Sequence, residues 1–387
     1  MTTELFESMR ERQASRRGFV RGTAVVAGGA LALAGVGGGA HRMAALAQDA
    51  TPAAGSGTVL QPGIDSQMQE VIDELVTLNK VPIAQQTAFN GRQLPLPSDA
   101  ILSILSKRGE VAINPSVAIE HVLIPTPDDG VIARVYTPAG QAPFPVIVYY
   151  HGGGFVIANL DDYDSSCRAL ATAAEAVVIS VAYRLAPENP FPAPVDDAYF
   201  AFQYVAENAG LYGGDPDRVA VVGESAGGNL AAVVSLLARD QGGILPVHQV
   251  LVYPITTYAP EGEGADTIEE FATAAPLNAA LLDWFQGFYA PDPASPNASP
   301  LLAADLSGLP PTTIILAEID PLIGQGRQYA EALEEAGNDV TVTEYAGVTH
   351  EFFGTGAVVD IANEAVAEVA ERLTASFEDA AEATPTA

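Results

Sequence analysis

The spacing of hydrophobic positions changes along the chain. Met68, Val71, Ile72, Leu75 and Leu78 recur at helical intervals, predicting a helix capped by Ser66 and stopped near Pro82. A second, shorter helix is expected from Ser98 to Lys107, with Ile101, Leu102 and Leu105 on one face. Val117–Ile124 and Val131–Tyr136 bracket Pro127-Asp128-Asp129-Gly130, the signature of a β-hairpin. Beyond it the runs become short, β-branched and nearly continuous: Val146–Tyr150, Val177–Val181, Val219–Val222, Val250–Tyr253, Thr313–Ala317 and Val340–Tyr345. Such runs suit strands buried on both faces, as in parallel sheets. Helical patterns at Ala198–Ala206, Gly227–Arg239, Gln325–Ala336 and Ala357–Phe377 lie between and after them. Strand–helix alternation at this spacing predicts a doubly wound α/β fold with a mostly parallel central sheet and helices on both faces. Thr267–Tyr289 interrupts the alternation with a helical pattern containing Trp284, and is read as cap or pocket wall. The last ten residues, 378–387, are polar and are expected to be a loose tail.

The first 47 residues follow another logic. Arg16-Arg17 precedes an uncharged, Gly/Ala-rich stretch from Gly22 to Ala40, followed by Ala45-Leu46-Ala47, a small-x-small cleavage pattern. This resembles a twin-arginine export signal, which a receptor reads and a protease removes. A membrane anchor is the competing reading, weakened by six glycines between Gly28 and Gly39. Residues 48–63, rich in Ala, Gly, Thr and Pro, form a flexible leader, and the mature protein is expected to be periplasmic or extracellular.

Composition narrows the chemistry. The 387 residues carry 17 basic and 48 acidic side chains, a net charge of -31. Removal of the signal takes six basic and three acidic residues with it, leaving 11 against 45, or -34. Such a balance argues against nucleic acid as a partner, because a polyanion needs clustered Lys and Arg. The single cysteine, Cys167, excludes an intramolecular disulfide and any multi-thiolate metal site. No paired metal-ligand motif occurs among the five histidines, and no metal or organic cofactor is implied. Nothing in the sequence decides between monomer and homodimer.

Gly223-Glu224-Ser225-Ala226-Gly227 joins the Val219–Val222 strand directly to the following helix. A serine on such a sharp strand-to-helix turn presents its hydroxyl at the C-terminal edge of the sheet. His151-Gly152-Gly153-Gly154-Phe155 ends the Val146–Tyr150 strand, and its glycines let backbone N–H groups approach a substrate oxygen. With the N–H of Ala226, those of Gly153 and Gly154 would form an oxyanion hole. His151 is read as orienting this loop, alongside Gly152, rather than as a base. A serine nucleophile needs a base and an orienting acid. His350 and Asp320 each follow a predicted strand, so both fall on the edge that carries Ser225. Glu318 and Glu351 are the competitors for the role of Asp320. His121, inside the hairpin, and His248, at the opposite sheet edge, are read as structural.

HGGGF, GESAGGN and Tyr183-Arg184-Leu185-Ala186-Pro187-Glu188, with Asp320-Pro321-Leu322 and His350, resemble the hormone-sensitive-lipase-like (family IV) esterases. The resemblance spans roughly residues 67–377. It implies an α/β-hydrolase catalytic domain over 117–377, an N-terminal helical cap over 64–116, and cleavage of carboxylic esters through an acyl-enzyme. By position Ser225 would be nucleophile, His350 base, Asp320 acid, and Gly153, Gly154 and Ala226 oxyanion donors. Two places depart from the pattern: Ile323-Gly324-Gln325-Gly326 replaces the charged run that commonly follows the acid, and Glu351-Phe352-Phe353 follows the histidine where Gly-Phe is common. A changed acyl-pocket wall is expected from the second. A small-molecule ester is the implied partner; an amidase or deacetylase on the same triad, or a non-catalytic receptor on this fold, are the alternatives.

Overall fold

The structure is a computed structural model describing residues 63–111, 116–127 and 130–383. The segments expected to be an export signal and, as far as residue 62, a leader, the hairpin residues 128 and 129 and the last four residues lie outside the described part.

Eight strands form one sheet in the order β1-β2-β4-β3-β5-β6-β7-β8. The antiparallel hairpin of β1 (Ala118–Ile124) and β2 (Val131–Thr137) lies at one edge, and β2 also runs antiparallel to β4 (Val177–Val181). All further pairs are parallel: β3 (Phe144–Tyr150), β5 (Gly214–Glu224), β6 (Gln249–Val252), β7 (Thr312–Ile319) and β8 (Val340–Thr349). Alternation within β3 divides the core. Val146, Val148 and Tyr150 face one cluster, which includes residues of α5 (Ala193–Asn208), α6 (Ala226–Gln241) and α9 (Ile323–Glu335). Ile147 and Tyr149 face the other, with α4 (Asp164–Ala173) and α10 (Asp360–Ala383). Both faces are therefore apolar, which is why the strands read as continuous runs. Each fully buried Val or Leu contributes about 1.5–3 kcal/mol to this arrangement.

Ahead of the sheet lie α1 (Ser66–Leu78), the short α2 (Ala88–Gly91) and α3 (Pro97–Arg108). Met68, Val71, Ile72 and Leu75 of α1 pack with Ala100, Ile101, Ile104 and Leu105 of α3 in the second cluster. Asp65, not Ser66, caps α1: its carboxylate accepts from the N–H groups of Gln67 and Met68 at 2.8 and 3.2 Å.

Three further features differ from the sequence expectation. Helix α4 gave no usable signal, because its buried face is Ser166, Cys167, Leu170 and Ala171, with one large apolar residue. The segment 267–289 is two helices, α7 (Glu263–Glu270) and α8 (Ala279–Tyr289), separated around Pro276. The tail is not loose from Glu378 onward: α10 continues to Ala383. Its last buried apolar side chain is Phe377, but the Ala/Glu-rich continuation has high helix propensity and meets no breaker before Pro385. Among the described residues no helix is long and apolar enough to cross a membrane.

Candidate active site

Strand β5 ends at Glu224 and α6 begins at Ala226, so Ser225 alone makes the turn. Its backbone holds φ 57°, ψ -114°, a region residues with a Cβ rarely adopt. The surroundings over-determine that strain. The Ser225 N–H donates to the Val252 carbonyl at 2.9 Å, and Asn229 Nδ2 donates to the carbonyls of Ile255 and Ala298. A Cβ on Gly227 would lie 1.9 Å from the Tyr150 carbonyl oxygen, so the helix can approach β3 this closely only with glycine there.

The side chains of Ser225, His350 and Asp320, from three separate strand ends, form one hydrogen-bonded chain. Ser225 Oγ lies 2.8 Å from His350 Nε2, and His350 Nδ1 lies 2.6 Å from Asp320 Oδ2. The other Asp320 oxygen, Oδ1, accepts from the Leu322 N–H at 2.8 Å. Asp320 is wholly buried and His350 nearly so. Burial alone would lower the basicity of the imidazole. The Asp320 carboxylate outweighs it, with smaller contributions from Glu351 and Glu224, and the His350 pKa ends above its ordinary value. The competitors are engaged elsewhere. Glu318 accepts from the Gly347 N–H at 2.7 Å, and both oxygens of Glu351 accept from the Tyr163 hydroxyl.

The loop after β3 lies beside this chain. Among the described residues the N–H groups of Gly153, Gly154 and Ala226 donate to no protein acceptor. Gly153 has φ +95°, and a Cβ there would meet the Ile157 carbonyl oxygen at 2.3 Å. His151 Nδ1 lies 2.8 Å from the Gly152 carbonyl, and the Tyr183 hydroxyl donates to the His151 carbonyl at 2.7 Å. The two rings stack with centroids 4.4 Å apart. Burial pushes the His151 pKa down to about 4, so at neutral pH it is an uncharged brace within the loop. His121 on β1 accepts from Arg134 Nε of β2, and His248 contacts Ser376 and Thr313 hydroxyls, both remote from Ser225 in the fold.

The segment read as cap or pocket wall lies against the site, although nothing in the sequence singled out which of its residues do so. The Phe285 ring of α8 sits where a Cβ on Gly154 would be, 2.2 Å away, so this helix walls the glycine loop. Trp284 Nε1 donates to the Gln86 carbonyl, tying that wall to the N-terminal segment. Arg92, just after α2, reaches to the carbonyls of Val156 and Ala186 and pairs with Glu188. The loop after Asp320 is closed without charges. Thr267 Oγ1 donates to the Pro321 carbonyl and accepts from the Gly324 N–H, while Gln325 Oε1 accepts from Thr256 and Thr257. Phe352 and Phe353 turn into the core with Tyr253 and Tyr345, rather than forming a pocket wall. Their pairing with the sheet interior is a long-range contact that no local pattern reveals. Among the described residues no cluster of metal-ligating side chains occurs.

A serine on a strand-to-helix turn, with histidine and aspartate at neighbouring strand ends of a mostly parallel sheet, defines an α/β hydrolase. Residues 147–354 match the model of the family with the α/β-hydrolase fold. The chain is 39% identical over 316 residues to carboxylesterase NlhH of Mycobacterium tuberculosis, covering 80% of this chain and 94% of that one. It is 43% identical over 245 residues to carboxylic ester hydrolase LipN of the same organism, covering 61% of this chain and 64% of LipN, just under two thirds of that relative's length. Among solved structures, the hyperthermophilic esterase of Pyrobaculum calidifontis is 38% identical, with a TM-score of 0.68, covering 75% of this chain and 94% of that one. The chain belongs to the α/β-hydrolase family, within its hormone-sensitive-lipase-like esterase branch.

Proposed function

We propose that this carboxylesterase-type hydrolase cleaves short- to medium-chain carboxylic esters through an acyl-enzyme on Ser225. His350 takes the serine proton, Asp320 holds the imidazole tautomer and offsets its developing charge, and the N–H groups of Gly153, Gly154 and Ala226 receive the oxyanion. The observation that carries the assignment is the continuous Ser225–His350–Asp320 hydrogen-bond chain, at 2.8 and 2.6 Å. The proximity of Phe285 to Gly154 supports the limit on chain length, since an aromatic ring beside the oxyanion loop shortens the space for an acyl chain.

The test is a series of p-nitrophenyl esters of graded chain length, assayed across pH beside matching anilides. Turnover is expected to peak at short or medium acyl chains and to be far weaker on anilides, whose leaving group needs full protonation. Comparable anilide rates would favour an amidase. His350 acts only when neutral, so activity rises with pH as it deprotonates. Because its pKa is raised, the acid limb of kcat/KM is expected above the ordinary histidine value of 6.5. A limb at or below 6.5 would contradict the electrostatic account.

Residues 1–47 are proposed to direct twin-arginine export, with the mature chain starting at Gln48. The paired arginines and the Ala45-Leu46-Ala47 site motivate this. Arg16→Lys with Arg17→Lys is expected to hold the protein in the cytoplasm. Met1 at the N-terminus of exported material would contradict removal of the signal.

A further inference from the structure

His350 meets a second carboxylate that the triad does not use. Glu351 follows it at backbone φ 68°, a left-handed conformation that a residue with a Cβ adopts at a penalty. Its side chain is held in one place. The Tyr163 hydroxyl contacts both carboxylate oxygens at 2.8 and 2.7 Å, and the side chain is 19% exposed. One oxygen, Oε1, lies 3.8 Å from His350 Nε2, the nitrogen that faces Ser225 Oγ. The same oxygen lies 3.1 Å from where a Cβ on Gly152 would stand, and so borders the glycine loop. Asp320 approaches the ring from the opposite side, at Nδ1. The imidazole thus sits between two carboxylates, with the Tyr253 ring 4.5 Å from its own.

We propose that Glu351 is a positioning residue for ester hydrolysis. Its carboxylate stabilises the imidazolium from the Nε2 side as Ser225 gives up its proton, and through Tyr163 it ties the His350 turn to the first residue of the glycine loop. The proposal rests on His350 being the base. The charge is well placed for the role: it stands beside the nitrogen that becomes N–H, in a site largely closed to water, where screening is weak. The groups facing His350 besides Glu351 are Asp320 from the end of β7, Glu224 from the end of β5, Tyr253 after β6, and Ser225; Tyr163, before α4, acts on it only through Glu351. Glu224 accepts from the Tyr149 and Tyr253 hydroxyls, and burial with the nearby Glu351 charge raises its pKa to about 7. It therefore titrates near neutrality, and the Glu351 assignment requires separation from it.

Glu351→Gln keeps the size and an acceptor for Tyr163 while removing the charge. Expected are a shift of the acid limb of kcat/KM to lower pH and a fall in kcat of about tenfold, with KM little changed. Glu351→Asp, which restores charge, should return the limb towards its wild-type position. Asp379→Asn on α10 should move neither quantity. Direct titration of the His350 imidazole by NMR reads the same coupling without turnover. It therefore separates failure of this proposal from failure of the esterase reading. An unmoved His350 titration in folded Glu351→Gln, or Gln and Asp variants that behave alike, would overturn it. Glu224→Gln in the same titration identifies the source of the coupling: a larger shift there than in Glu351→Gln would also overturn it.

Discussion

Ser225→Ala is expected to lower ester turnover by ~10⁴–10⁶, the range for removal of a triad nucleophile, while leaving the melting temperature almost unchanged. The two halves of this expectation have separate physical sources. Loss of Oγ removes the only atom on the turn that can be acylated, and residual rate would come from the oxyanion loop acting on bulk water. Stability changes little because alanine inherits the same strained backbone, with its N–H still on the Val252 carbonyl. The deleted hydrogen bond to His350 contributes on the order of 1 kcal/mol, and the lost side-chain volume is a single oxygen. Steady-state kinetics with thermal unfolding checks both. A variant that keeps a tenth of the activity would remove Ser225 from the mechanism.

Asp320→Asn is expected to lower turnover by ~10²–10⁴. In the native site one carboxylate oxygen accepts from the Leu322 N–H and the other from His350 Nδ1–H. Asparagine has one oxygen. If it stays on Leu322, the amide N–H₂ faces Nδ1, which must then accept, and the ring proton moves to Nε2. That tautomer cannot take the serine proton. The loop should remain folded, because the Leu322 contact survives. Glu318→Gln keeps an acceptor for the Gly347 N–H and is expected to change kcat by less than about threefold. A larger loss in Glu318→Gln than in Asp320→Asn would mean that Asp320 is a loop cap and that the acid lies elsewhere.

The strands of the parallel region were legible because burial on both faces demands unbroken β-branched runs; Val177–Val181 coincides with β4. The turn at Ser225 was legible because steric demand is local: Gly227 must lack a Cβ wherever a helix starts this close to a strand. Helix α4 was not, since its buried face is made of small residues that carry no periodic signal. Nor was the path of Glu378–Ala383, where propensity rather than burial continues the helix.

The sequence by itself determined the fold class, the order of the strands along the chain, and the candidate residues for acyl transfer. These depend on side-chain period and on steric and chemical demands within a few residues of one another. Only the tertiary structure decided which carboxylate meets His350 Nδ1, that Phe285 walls the glycine loop, and that Glu351 stands beside Nε2. Those contacts join residues 30 to more than 100 positions apart, or depend on how a single strained turn aims a side chain. The packing of strand ends against one another sets both, and hydrophobic spacing along the chain carries no record of it.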